Sequence, residues 1–217
     1  MTINLIIFGS PGSGKGTQSN FLRLYYKIPH ISIGNILRLA IKQSTKLGNL
    51  VKTFINKGIL VPDYLINKLV KNRLNQKDCS NGFILDGFPR TKKQAISLEK
   101  NLYSINSSLS AVLNILVNDK TVLKRLMMRQ ICPLCGSIYI KKPNIQKQNC
   151  ANDNTLLIQR NDDTPKTINI RLKTFKKETL PLIKFYTNKN LIFNIDGSQS
   201  YIKVYNEIIR KLTFNKI

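Results

Sequence analysis

Near the start of the chain, Gly9-Ser10-Pro11-Gly12-Ser13-Gly14-Lys15-Gly16-Thr17 has the G-x-x-x-x-G-K spacing of a phosphate-binding loop. Glycines let successive backbone N–H groups turn toward one point. Those donors, with the positive end of a following helix, can surround a β-phosphate while the Lys15 ammonium reaches between β and γ oxygens. A glycine turn without function would need neither the lysine nor this spacing. Because Gly16 follows Lys15, the hydroxyl that such a loop offers to magnesium is displaced to Thr17.

A second segment, Gly82-Phe83-Ile84-Leu85-Asp86-Gly87-Phe88-Pro89-Arg90-Thr91, carries an apolar run into an aspartate and an arginine. A carboxylate at a strand end beside a phosphate loop can hold magnesium through water, and a guanidinium can clamp a phosphate with two parallel hydrogen bonds. A strand-end turn closed by a salt bridge is the plainer alternative. Arg125 and Arg129 are four apart, which predicts that both project from one helix face toward a shared anion; solvated surface arginines are the alternative.

Cys132-Pro133-Leu134-Cys135 is a C-x2-C knuckle, and Cys150-Ala151-Asn152-Asp153 adds a C-x2-D pair fourteen residues on. Three thiolates and a carboxylate make a tetrahedral zinc set with no open position, so such a metal is structural. Unliganded cysteines, or a Cys132–Cys135 disulfide, also satisfy the spacing, and Asp153 is its weakest member. Cys79 stands apart and is read as a packing thiol.

These groups need a scaffold. Asn4 to Phe8 reads as a buried strand, closed by the turn formers Gly9, Pro11 and Gly12 and followed by a helix from Lys15 to about Tyr26. Apolar runs recur at 83–85, 111–117 and 191–195, each followed by a stretch with helical pattern. Strands alternating with helices predict an α/β fold with a parallel sheet covered on both faces. Two stretches break the alternation and are expected as insertions on the sheet's C-terminal rim. Residues 30–74 are predicted helical throughout; residues 131–165 are rich in Asn, Lys, Cys and Pro and have no long apolar period.

Composition narrows the class. With 217 residues, 42% hydrophobic, and 11 Gly plus 8 Pro, the chain suits one ordinary domain or one core with insertions, and fits neither a disordered nor a collagen-like composition. Lys and Arg number 35 against 11 Asp and Glu, so 35 − 11 leaves +24 and a surface that attracts polyanions. Nucleic acid, an acidic membrane face and phosphorylated small molecules all fit that charge, as does a compositional bias toward Lys, Asn and Ile. The 131–165 stretch lacks aromatics interleaved with its Lys and Arg beyond Tyr139, which argues against a zinc-ribbon nucleic-acid binder. No run approaches the roughly 18 apolar residues of a membrane span, and Met1 to Phe8 has neither a basic leader nor a cleavage signature. Cysteine usage fits a reducing compartment, so a cytoplasmic protein without membrane partners is expected.

Taken together, the loop at 9–17, His30-Ile31-Ser32-x-Gly34-x-x-Leu37-Arg38, Leu85 to Thr91 with Gln94 beyond, Arg160-Asn161-Asp162-Asp163, Arg171-Leu172 and Asp196-Gly197 resemble the adenylate kinases of the nucleoside monophosphate kinase family. The likeness covers nearly the whole chain. It implies a P-loop NTPase-like three-layer core at 1–29, 62–130 and 166–217, a helical NMP-binding insertion at 30–61, and a zinc-bearing lid at 131–165 on Cys132, Cys135, Cys150 and Asp153. It implies a monomer that makes two ADP from ATP and AMP with Mg2+.

Residue by residue, the resemblance implies ATP phosphates on Gly12, Ser13, Gly14, Lys15, Gly16 and Thr17, with Arg125, Arg129, Ile138, Tyr139 and the Gln199 backbone meeting the rest of ATP. AMP would meet Ile33, Arg38, Ile59, Leu60, Val61, Gly87, Phe88, Pro89, Arg90 and Gln94, with Arg160 and Arg171 bridging both phosphates and Asp86 near magnesium. Ile33 and Asn35 depart from the family's usual Thr and Asp, and Met128 from its glycine. A GTP:AMP or a UMP/CMP kinase fits the same motifs. His30, the only histidine, is read as structural.

Overall fold

The computed structural model of the chain describes residues 2–141 and 147–215, so residues 142–146 of the expected lid, with Met1 and 216–217 of the expected core, lie outside the described residues. β1 (Ile3–Gly9) is buried along nearly its whole length because it runs through the middle of a five-stranded parallel sheet, ordered β2 (His30–Ser32), β3 (Gly82–Asp86), β1, β4 (Ala111–Leu116), β7 (Ile192–Asp196). A strand covered on both faces must be apolar on both, and the unbroken Leu5-Ile6-Ile7-Phe8 run satisfies that.

Successive side chains divide the core in two. Ile6 and Phe8 pack with Leu85, Leu98, Leu182 and Tyr186 under α4 (Asp63–Leu74), α5 (Lys92–Ser104) and α8 (Pro181–Thr187). Leu5 and Ile7 face the opposite way, onto Leu22 of α1 (Lys15–Tyr26) and onto Val204, Ile208 and Leu212 of α9 (Tyr201–Phe214). Truncating one such side chain to Ala should cost about 2–5 kcal/mol. The result is a three-layer α/β fold.

The stretch expected to be helical throughout opens instead with a strand. His30–Ser32 pairs with Ile84–Asp86, so this edge of the sheet belongs to the core. Three residues are too few for a periodic signal, and β pairing outweighs local pattern. Helices follow as predicted: α2 (Ile33–Lys42), then α3 (Lys46–Lys57), capped by Thr45, whose hydroxyl accepts from Gly48 N at 3.0 Å. Gly48 packs so close to α2 that any Cβ there would collide with the Ala40 carbonyl.

Helix α6 (Asp119–Met127), capped by Asn118, leads to the antiparallel pair β5 (Arg129–Ile131) and β6 (Ile138–Ile140). α7 (Pro165–Thr174), capped by Thr164, returns the chain to the core through a π-helical turn at Phe175–Thr179. Parallel register brings Gly9, Asp86 and Asp196 to the C-terminal ends of their strands. At this rim the connection from β1 runs toward β2 and that from its neighbour β4 toward β7, opposite edges of the sheet, the position where open α/β sheets form their crevice.

Candidate active site

The β1–α1 turn supplies the anion-binding end. Gly12 has φ 81° and lies where a Cβ would come within 2.7 Å of Leu126 Cγ, so the turn depends on glycine at that point. Gly14 begins α1 without any side-chain cap, and the first turn holds no acidic residue, leaving the helix N-terminus to an outside anion. Lys15 Nζ donates to the carbonyls of Gly9 and Ser10, both at 2.8 Å, folding the ammonium back over the loop. Burial lowers its pKa to about 8, only partly offset by the Asp86 carboxylate.

Asp86 ends β3 beside this loop. His30 Nε2 lies 3.3 Å from Asp86 Oδ2, and His30 Nδ1 lies 3.3 Å from Asn20 Oδ1. Burial opposes ionisation of Asp86, but the His30 hydrogen bond and the Lys15 charge outweigh it and hold the carboxyl below its ordinary range. The sole histidine thus touches a site carboxylate, which its position at the start of a short edge strand did not advertise.

Arginines converge from several elements. Arg129 binds Asp163 with a two-pronged fork, Nε to Oδ2 at 2.7 Å and Nη2 to Oδ1 at 2.6 Å. Arg171 Nη1 reaches Asp163 Oδ1 at 3.0 Å and Asp162 Oδ2 at 3.2 Å, and Arg38 lies 3.7 Å from Asp162 while donating to Asn35 Oδ1 at 2.7 Å. Asn35 therefore keeps a polar contact to the arginine it precedes. Arg125 Nη1 donates to the Gly197 carbonyl at 3.0 Å. The expectation that Arg125 and Arg129 share one helix face fails, because α6 ends at Met127 and Arg129 stands on β5. A helix end within the four-residue interval was not visible in an i, i+4 spacing.

Burial, then the Arg171 charge, pushes Arg90 down to about 10; burial, then Arg38 and Arg129, pushes Arg160 down to about 9. Arginine stays charged at neutral pH, so these shifts register first the cost of burying the guanidiniums and then their mutual repulsion, both of which an entering anion would relieve. Arg160 Nε is buried and has no partner among the described residues. Lys15, Arg23, Arg38, Arg90, Lys124, Arg125, Arg129, Arg160 and Arg171 against Asp86 leave 9 − 1 = +8 on the wall of one cavity, with Asp162 and Asp163 paired to its arginines from behind. Asp162 and Asp163 keep the guanidiniums in place, a role that the sequence motif did not assign to them.

That cavity is about 1710 Å³. Gly12 to Thr17, Asp86, Pro89, Arg38, Arg90, Arg125, Arg129, Arg160, Arg171, Ile138, Tyr139 and Gln199 all border it. A side chamber of about 70 Å³ shares Arg38, Leu60, Gly87, Arg90 and Arg171 with it and adds Ile33, Ile59, Val61 and Gln94. The Phe88 side chain faces away and packs in the core.

On the β5–β6 side, the ligand atoms of Cys132, Cys135, Cys150 and Asp153 lie within 4.8 Å of one another. Cys135 Sγ is 3.5 Å from Cys150 Sγ, and Cys132 Sγ is 3.3 Å from Asp153 Oδ2. These separations suit a tetrahedron with metal–sulfur bonds of about 2.3 Å. Backbone N–H groups of Leu134 and Cys135 donate to Cys132 Sγ, both at 3.3 Å, and Tyr139 Oη lies 3.2 Å from Cys150 Sγ. At Cys132 burial raises the thiol pKa against the pull of the two N–H donors, whereas the Ser137 hydrogen bond lowers that of Cys135. The Thr155 hydrogen bond holds the Asp153 carboxyl well below its usual range. The set can hold a metal ion. Cys79 is buried elsewhere, with Arg73 Nη1 donating to it at 3.1 Å.

A phosphate loop and a ring of arginines around one cavity on a parallel sheet define a nucleotide-binding phosphotransferase. The family model described as adenylate kinase matches residues 7–191. An adenylate kinase of Acholeplasma laidlawii (strain PG-8A) is 46% identical over 201 residues, covering 92% of this chain and 93% of that protein. One from Caldanaerobacter subterraneus subsp. tengcongensis is 41% identical over 97% of this chain and 96% of its own length, and one from Archaeoglobus fulgidus 41% over 95% and 96%. The chain belongs to the adenylate kinase family. No helix among the described residues is long and apolar enough to cross a membrane.

Proposed function

We propose that this chain reversibly transfers the γ-phosphoryl group of ATP to AMP, giving two ADP. The observation that carries the reading is one cavity with two cationic ends: loop amides with Lys15 at one, Arg38 and Arg90 at the other, and Arg129, Arg160 and Arg171 also on its wall. At about 1710 Å³ it exceeds the range of about 300–1,000 Å³ usual for a single small ligand, so it has room for two nucleotides.

An AMP phosphate oxygen attacks the γ-phosphorus, that P–O bond forms, and the bond to the β,γ-bridging oxygen breaks with its electron pair staying on ADP. The acceptor phosphate is already an anion near neutral pH, so no general base is needed. Positioning and charge neutralisation carry the catalysis. Lys15 would hold the donor's β and γ oxygens, Arg38 and Arg90 the acceptor phosphate, and Arg129, Arg160 and Arg171 the charge that moves between them. Ile33, Ile59, Leu60, Val61, Gly87 and Gln94 would receive the acceptor nucleoside; Arg125, Ile138, Tyr139 and the Gln199 backbone would meet the donor. Mg2+ would supply charge neutralisation and orientation of the β and γ oxygens, near Asp86 and Thr17.

The division into a core, an acceptor-binding insertion and a lid is kept with one change: because His30–Ser32 is a sheet strand, the insertion reduces to 33–61. The lid metal is read as structural Zn2+ on Cys132, Cys135, Cys150 and Asp153. A cytoplasmic monomer is also proposed, in keeping with four free thiols. The test is a coupled assay offering each nucleoside monophosphate with ATP or GTP, scored by diphosphate formation. Turnover with ATP and AMP is expected. Preference for GTP, UMP or CMP, or no turnover at all, would overturn it.

A further inference from the structure

Gln94 is almost wholly buried beside the side chamber, and its amide is gripped from both ends. Nε2 donates to Asp63 Oδ1 at 2.7 Å, and Oε1 accepts from the Arg90 backbone N–H at 2.7 Å. The other Asp63 oxygen, Oδ2, accepts from the Thr91 hydroxyl at 3.0 Å, which itself accepts from Gln94 N at 3.2 Å. A carboxylate only accepts and a peptide N–H only donates, so these partners fix which end of the amide is oxygen. Turned over, Gln94 would set oxygen against carboxylate and N–H against N–H.

Two hydrogen-bonding positions remain free on that amide, one N–H and one lone pair. Around the chamber, Ile33, Leu37, Ile55, Val61 and Ile66 are apolar, and among the described residues Gln94 is the one neutral polar side chain on its wall. Ile33 brings no hydroxyl that could read a base in its place. A 6-aminopurine offers an N–H beside the N1 lone pair; a 6-oxopurine offers an oxygen beside an N1–H, the mirror pattern. An amide free to turn matches either edge, whereas a fixed one matches a single edge in a given pose.

We propose that Asp63 is a positioning residue that locks the Gln94 amide and so restricts the acceptor to a 6-aminopurine nucleotide. This rests on the reading above that the chamber receives the acceptor nucleoside. Arg90 takes part through its own backbone, because the residue whose guanidinium faces the acceptor phosphate also clamps the group that faces its base. The guanidinium is steadied in turn by Nε donation to the Gly87 carbonyl at 2.9 Å.

The experiment compares the full chain with Asp63→Asn, assaying diphosphate formation from ATP with AMP and with inosine monophosphate, alongside thermal melting. The substituted amide can present its NH2 to Gln94, which lifts one of the two constraints against the turned amide and leaves the Arg90 N–H as the other. The ratio of kcat/KM for AMP over inosine monophosphate should fall about ten- to a hundredfold, mostly through KM, while kcat with AMP changes little. Should that variant fail to fold, Asp63→Ala read by equilibrium binding of the two monophosphates asks the same question. A folded variant in which both substrates weaken by one factor, leaving the ratio unchanged, overturns the proposal and makes Asp63 a scaffold residue. A folded wild-type chain inactive with AMP removes the functional reading itself, and this inference with it.

Discussion

The loop floor and the lid hold charge in different ways. Around Lys15, Asp86 and Arg90 the scaffold is a sheet whose central strands are buried on both faces, and the loop geometry follows from hydrogen bonds and glycine positions that the core enforces. Around Tyr139 the buried apolar cluster consists of Cys132, Cys150 and Leu157. Two of those three are also members of the metal-ligating set. In the first region chemistry is grafted onto an independent fold; in the second the fold and the ligand set are the same residues. Damage to the floor should therefore remove activity and spare stability, and damage to the lid should lower both activity and local stability.

The largest effect is expected at the floor. Lys15→Met keeps the side chain's length and removes its charge, so kcat should fall on the order of 10³-fold with the melting temperature nearly unchanged. A variant that retained activity would break the comparison by showing that the floor does not grip the donor. Asp163→Asn sharpens it from the opposite direction. Its carboxylate is fully buried between Arg129 and Arg171, so neutralising it leaves two guanidiniums uncompensated and should cost about 3–5 kcal/mol by thermal or denaturant unfolding. A nucleotide that brings negative charge to the same arginines should restore a large part of that loss, measured as a greater ligand-induced rise in melting temperature than the wild type gives.

Next comes the lid metal. Elemental analysis should find about one zinc per chain. Stripping it with a chelator should expose 131–165 to protease while the sheet's circular dichroism persists, and should lower the rate on the order of ten- to a hundredfold. Well-folded protein purified without any metal would make the two regions alike and end the contrast.

Legibility in the sequence followed the same division. The loop at 9–17 could be read because its glycines, lysine and preceding strand are contiguous, and the donor set could be read because ligand spacing is itself local. β2 could not, since three residues become a strand only by pairing with Ile84–Asp86, more than fifty positions away. Arg129 was misplaced because its helix stops two residues earlier, at a boundary without glycine or proline. Asp63 gave no signal at all. It reads as an acidic residue in a helical first turn, a common and favourable position, and its grip on Gln94 exists only once α4 and α5 are packed together.

The smallest effect separates binding from stability at Lys15 itself. Its pKa is held near 8 in the free protein against an ordinary 10.5, so raising the pH from 7.5 to 8.5 takes the protonated fraction down about threefold. Triphosphate affinity, measured by calorimetry on the free enzyme, should weaken by up to that factor across this step. Stability should move the opposite way. Between about 8 and 10.5 the unfolded chain binds a proton at this lysine that the folded chain has lost, and stability rises with pH wherever the unfolded state holds more protons. Comparing wild type with Lys15→Met isolates the term: over that window the wild type should gain stability relative to the variant as pH rises, while below pH 8 their difference stays flat. The lid should add no such slope of its own at this lysine, so stripping the metal should leave the difference between the two proteins intact. A metal-dependent slope would mean that the floor is coupled to the lid, and that the core does not set the Lys15 environment unaided.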